Sequence, residues 1–401
     1  MPELTGRRSP RWFGVPRWLA AMLSVVVLLA AVMLFRVARH PFAQPLLTTE
    51  VEREGQRVFR DETFGNEAFW TDTAKLHEVV DGHIQPIEAL RLGLKVDLDR
   101  LNLLKFVLHN PLATSGTREL LRQNAVIGIR ATFGADGHIA RIGITCALCH
   151  STVDNALLPG IGHRLDGWPN RSLQAGKILA MLSNFTEPQK AVLRGWPKGT
   201  YDPRFNADGK STPLVLPPAY GLAQIQNETY TAEGPVSYWN AYVAVTQMHG
   251  RGNFTDPRLG LNIVQDPDLV TPRLGALRAY QHSLISPKPP GSSYDDAAAI
   301  RGKALFGSQC AQCHLNGNLS DNNDGILHDP AETGMDPRYA ERTSQKKYRT
   351  TPLRGLWSHA PYFHDGSAAT LHDVVEHYVK VRKLTLTTAQ RRDLIEYLKT
   401  L

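Results

Sequence analysis

This sequence predicts a mainly α protein of two similar modules with long loops, and three observations carry the prediction. The pentapeptides Cys146-Ala147-Leu148-Cys149-His150 and Cys310-Ala311-Gln312-Cys313-His314 repeat one pattern, C-x-x-C-H. Amphipathic segments flank the second copy on both sides. An uncharged run of eighteen residues, Trp18 to Phe35, stands ahead of both copies.

C-x-x-C-H is the attachment signature of c-type haem. Two thiols three positions apart can each form a thioether to a haem vinyl group, and the adjacent histidine reaches the iron as proximal ligand. All four cysteines of the chain fall into the two copies. A zinc site would need the pairs to converge on one metal and gives no reason for a histidine directly after each second cysteine. Two covalent haems are therefore expected, on Cys146 and Cys149 with His150, and on Cys310 and Cys313 with His314.

The net charge of +7 raises the prospect of a nucleic-acid partner, and the first forty residues dispose of it. They hold six arginines against one acid, Glu3, which is +5 and leaves the body at +2 before haem propionates are added. No basic stretch remains to read nucleic acid. Residues 1–17 form the basic segment and 18–35 the span, roughly 27 Å as a helix and enough for a bilayer. The arginines ahead of it favour an N-terminus in the cytoplasm and a periplasmic body held to the inner membrane by a single pass. A cleaved secretory signal is the alternative and also exports the body.

Residues 36–140 read as an extension, with a polar tether to about Arg60. Leu101, Leu104 and Leu108 share a helical face that Pro111 ends. Val126 to Ile144 change to a strand period around the turn Gly134-Ala135-Asp136-Gly137, giving the extension α/β character. The first haem domain is expected at 141–286, with helices near Leu173–Leu182 and Trp239–Met248. Pro287-Lys288-Pro289-Pro290-Gly291 opens a linker at 287–294. In the last domain, 295–401, a helix over Asp295–Ser308 leads into the second motif. Another, capped by Thr387 or Thr388, carries Leu394, Ile395, Leu398 and Leu401 on one face. Two such helices crossing at Gly302 resemble the cytochrome c fold.

The distal ligands decide the chemistry, because two strong ligands suit electron transfer and an open position suits peroxide or oxygen. Outside the anchor the methionines are Met181, Met248 and Met335. The stretch Tyr348-Arg-Thr-Thr-Pro-Leu-Arg-Gly-Leu-Trp-Ser-His-Ala-Pro-Tyr-Phe-His364-Asp-Gly-Ser, with Leu371-His-Asp-Val-Val-Glu-His-Tyr378, resembles the C-terminal haem domain of the bacterial di-haem cytochrome c peroxidase and MauG family. The peroxidases place a methionine ligand fourteen residues beyond the His364 counterpart, and MauG, which oxidises a partner protein, places a tyrosine there. Tyr378 stands at that offset; His377 and Met335 remain alternatives. Gly160-Ile161-Gly162-His163 resembles the segment supplying the displaceable distal histidine of the first haem, which makes His163 the catalytic candidate. Gly167-Trp168-Pro169-Asn170 resembles the neighbouring stretch, whose asparagine helps bind calcium in that family.

There are departures. The Trp-Asp-Gly-Arg stretch and its glutamate have no counterpart, and nothing in context singles out Glu187, Glu228 or Glu233. The surroundings of Trp239–Met248 and of the first motif resemble the larger di-haem oxygenases related to rubber oxygenase. The resemblance implies an oxidoreductase that takes electrons from a small redox protein, a cytochrome c or cupredoxin, at the second haem. It passes them to the first, where peroxide or oxygen is the substrate, with Trp168, Trp196, Trp239 or Trp357 as candidate relays. A pure electron-transfer cytochrome and a di-haem oxygenase or protein-oxidising enzyme are the alternatives, and a homodimer is compatible with each.

Overall fold

The computed structural model describes residues 47–314 and 317–401. The expected membrane span at 18–35 lies outside them, and no helix among the described residues is long and apolar enough to cross a membrane.

The tether expected up to Arg60 is instead a helix, Glu50–Asp61, which opens with a reciprocal cap between Thr49 and Glu52. Only Gly55, Val58 and Phe59 are buried on it, a stripe too narrow to stand out from the surrounding charges. That stripe packs on the helix Leu274–Ser283. A methyl group on Gly55 would sit 1.9 Å from the Ala276 carbonyl oxygen, so the two backbones touch there.

The C-terminal half repeats this arrangement as expected. Asp295 caps the helix Asp296–Gln309 by accepting from the Ala298 amide, and Thr387 with Gln390 caps Thr388–Leu398. They cross at Gly302, where a methyl group would lie 2.0 Å from the Asp393 carbonyl oxygen. Arg301 clamps the crossing with a forked pair to Asp393 at 2.7 and 2.8 Å.

The halves differ in how the motif is reached. In the second, Cys310 ends the helix directly. In the first, residues 62–145 intervene and fold around their own core of Trp70, Leu76, Val80, Leu120, Leu121 and Ile142. The expected hairpin is present, with Ile129–Phe133 antiparallel to Ile139–Ile144 and Gly137 at φ +79° supplying the turn. Its second strand delivers the chain to Cys146, so a domain boundary at 140/141 cuts an element in use. The helix expected near residue 101 is short, Leu103–Leu108. Leu104 and Leu108 are 71% and 74% exposed, so their shared face is not core.

The helix Val236–Tyr242 continues as a wider turn, Val243–Gln247, and the expected Leu173–Leu182 helix shortens to Ala175–Leu179. All sheets among the described residues are two-stranded. Residues 287–294 carry no helix or strand. The halves are joined by buried charge: Arg342 reaches Asp202 and Asp208, each at 2.8 Å, and Val215 N donates to the His364 carbonyl at 2.8 Å.

Candidate functional site

Each motif histidine is held by the same kind of hydrogen bond. His150 Nδ1 lies 3.1 Å from the Pro217 carbonyl oxygen, and His314 Nδ1 lies 2.8 Å from that of Leu319. A carbonyl only accepts, so Nδ1 carries the proton and Nε2 keeps the lone pair. That is the tautomer an iron ligand requires, and the bond also fixes the ring's direction. Burial keeps both rings neutral, lowering His150 to about 4 with help from Arg171 and lowering His314 too.

The cysteines fit thioethers better than zinc. Burial pushes Cys146 and Cys149 up to about 12 and Cys310 to about 11, which disfavours the thiolates zinc needs. The two pairs also pack in different cores, Cys146 against the one that holds Met248 and Cys310 against the one that holds Phe306. Cys313, Asp321 and His328 do bring ligand atoms within 4.8 Å of one another. With Cys313 in a thioether, what remains there is the 2.9 Å contact of His328 with Asp321.

A cleft of about 280 Å³ opens at the second motif, lined by Cys310, Cys313, His314, Leu356 and Leu394. Tyr378 and Met335 both line it. Tyr378 sits on the helix Leu371–Val381, and burial, with Cys313 and Cys310 adjacent, pushes its phenol up to about 12. Such a phenol becomes a ligand when a metal's charge replaces its proton. His377, the neighbouring alternative, points its Nε2 at the Thr333 carbonyl, 2.8 Å away, and is taken up by that contact.

At the first motif the surroundings are more closed. His163 is buried, with Nδ1 2.7 Å from Asp99 Oδ1 and its backbone amide donating to Asp154. Tyr201 packs on the same small core as Cys149, and its hydroxyl donates to Gln247 at 2.9 Å. Met248 packs as core, and His249 stacks flat on Phe69 with centroids 3.5 Å apart.

None of the three glutamates stands as an uncommitted acid. Glu187 opens an exposed helix, Glu228 contacts His282 and the Val236 amide, and Glu233 pairs with Arg204 at 2.5 Å. The Asn170 amide donates to the carbonyls of Gly93 and Leu148, and its Oδ1 accepts from Ser172. It thus braces the motif helix from within the protein.

Of the four candidate relay tryptophans, Trp196 packs with Tyr201 and Phe205 and Trp239 with Tyr238 and Tyr242, both within the first half. Trp168 and Trp357 meet edge to face at 5.9 Å across the halves. Trp168 also meets Tyr220, whose hydroxyl lies 3.0 Å from His359 Nε2. Sequence reasoning missed Tyr220, His359, Tyr201 and Gln247, since only the fold brings them to the motifs.

These features define a c-type cytochrome with two haem centres. A family model described as RoxA-like, cytochrome c-like matches residues 347–383, the stretch holding His364 and Tyr378. The methylamine utilization protein MauG of Methylorubrum extorquens is 31% identical over 159 residues, covering 31% of this chain and 42% of that protein. MauG of Methylophilus methylotrophus is 26% identical over 151 residues, covering 31% and 45%. The chain spans less than half the length of these curated relatives. The structure of Kuenenia stuttgartiensis hydrazine synthase pressurized with xenon is similar at 21% identity, covering 52% of this chain and 78% of that one. Its TM-score of 0.35 is too low to establish a shared fold. Over these stretches the chain is similar to the di-haem cytochrome c peroxidase and MauG family, and its cofactors are covalent c-type haems.

Proposed function

We propose that this chain is an oxidoreductase of the peroxidase and MauG type, taking electrons from a redox protein at the C-terminal centre and reducing peroxide at the N-terminal one. The observation that carries the reading is the contact of Trp168 with Trp357, one from each motif-bearing half. It offers an aromatic path between the centres that a pair of unconnected carriers would not need. The haems supply the one-electron and peroxide chemistry.

The chain's own residues set direction and access. The carbonyls of Pro217 and Leu319 orient the two proximal histidines. Tyr378, a hard anionic ligand once deprotonated, lowers the potential of the C-terminal centre relative to a methionine ligand. His163 is the displaceable ligand of the N-terminal centre, with Asp99 holding its Nδ1. The run Trp18 to Phe35 anchors the body to the inner membrane from the periplasmic side.

A protein-oxidising activity is the second reading, favoured by Tyr378 at the MauG offset and by its place in the cleft. EPR and optical spectra of the purified protein, oxidised and then reduced by one electron, test both. A high-spin signal in either state that responds to peroxide is expected. Two low-spin haems throughout would leave an electron carrier.

A further inference from the structure

In the wall of the C-terminal cleft, three guanidinium nitrogens are closed to solvent and have no hydrogen-bond partner among the described residues: Nε and Nη1 of Arg349, and Nε of Arg171. The other nitrogens of both groups are tied to the main chain. Arg349 Nη2 donates to the Glu228 carbonyl at 3.1 Å. Arg171 Nη1 and Nη2 donate to the carbonyls of Leu216 and His359 at 2.6 and 3.1 Å.

Those partners are neutral, and among the described residues neither arginine forms an ion pair. The Glu228 carboxylate is turned to His282 Nε2 and the Val236 amide, at 3.1 and 2.8 Å. Burial lowers both guanidinium groups, Arg349 to about 10, against the opposing pull of Tyr230 on each of them. A shielded cation with unmade hydrogen bonds is costly unless an anion completes it. The N–H groups left over, on two nitrogens of Arg349 and one of Arg171, can each donate a charge-assisted bond to a carboxylate oxygen. Arg354, in the same wall, differs: its Nη1 is taken by the carbonyls of Gly221 and Ala223 and its Nη2 by Asn318.

We propose that Arg171 and Arg349 form a carboxylate seat, built from both halves of the chain, that holds a propionate of the haem attached at Cys310 and Cys313. The seat completes two cations the protein leaves unfinished. It also ties the C-terminal haem to Arg171, whose charge acts on His150 of the other centre.

The test uses full-length holoprotein with Arg349→Gln, Arg171→Gln and Arg349→Lys. Haem number is read by mass, the propionate bending band by resonance Raman, and the C-terminal midpoint by titration. Either glutamine variant is expected to keep two haems, shift the band and lower the midpoint. The expected change is about tenfold in the ferric-to-ferrous ratio at fixed potential, or 59 mV for one electron. Arg349→Lys restores the charge but not the fixed planar N–H donors, so the midpoint returns while the band stays displaced. Band and midpoint unchanged in both glutamine variants, with haem number intact, would overturn the seat. If a glutamine variant loses its haem, the lysine variant decides: a wild-type band there overturns it. Acetate that moves the wild-type midpoint while the band in Arg349→Gln stays in place would assign the arginines to a free carboxylate and overturn the propionate.

Discussion

Gly302 lies against the Asp393 carbonyl so closely that a methyl group on it would stand 2.0 Å from that oxygen. The obstacle is helix backbone, which cannot step aside as a flexible side chain would. Gly302→Ala is expected to cost about 1–3 kcal/mol despite alanine's better helix propensity. Thermal unfolding of the holoprotein checks this; a raised Tm would mean that the helices can separate without penalty.

Covalent attachment predicts a mass difference. Cys146→Ser removes one thioether anchor of the first haem, and denatured protein is expected to carry one haem fewer. Retention of both would contradict attachment at that motif. His150→Gly and His314→Gly should keep both haems and change the spectrum, since they remove the ligand and not the anchor.

Tyr378 and Met335 share the C-terminal cleft, and mutation separates them. Tyr378→Phe is expected to change the EPR signal of the second haem and raise its midpoint, whereas Met335→Leu leaves both unchanged. The opposite pattern would assign the ligand to the methionine.

The aromatic contact predicts a kinetic effect. Trp357→Phe keeps a ring in the core but withdraws its edge from Trp168, 5.9 Å away between centroids. Electron exchange between the centres, followed by flash reduction, is expected to slow by about tenfold, or about 1.4 kcal/mol in barrier. An unchanged rate would place the path elsewhere.

His359 gives the stability of the protein a pH dependence. Burial, reinforced by Arg171, lowers it to about 3, whereas in the unfolded chain it titrates near 6.5. The neutral ring favours the fold, so its contribution is complete above about 6.5 and is lost as pH falls towards 3. His359→Gln is expected to flatten the dependence of the urea midpoint between pH 7 and 4.5, by up to about 1.4 kcal/mol per pH unit. Parallel curves for both proteins would show that the ring protonates freely in the fold.

The C-terminal half is the more legible in sequence because its cues are local. Asp295 and Thr387 stand at the caps they form, and Gly302 marks the crossing. The helix Glu50–Asp61 is hidden because its three buried residues sit among charges and its partner lies far along the chain. Leu104 and Leu108 have the spacing of a buried face and are exposed, since periodicity reports a stripe and not what covers it. The motifs name the anchoring cysteines and proximal histidines outright. Tyr201, Tyr220 and Arg171 carry no such mark, and Arg349 and His359, though inside the family-like stretch, have no role in view until folding gathers them.

The two carbonyls behind the proximal histidines differ in origin, and this separates the halves in independence. Leu319 is five residues beyond His314, so the C-terminal half supplies that brace itself. Pro217 is 67 residues beyond His150, just after the strand Leu214–Val215, whose Val215 amide is pinned to His364 of the other half. The C-terminal brace is local in sequence, while the N-terminal one is a long-range contact held by Gly199 and Arg171 of its own half and, through Val215, by His364 of the other. Loss of the contact to His364 would therefore loosen the brace behind His150 and leave the one behind His314 in place.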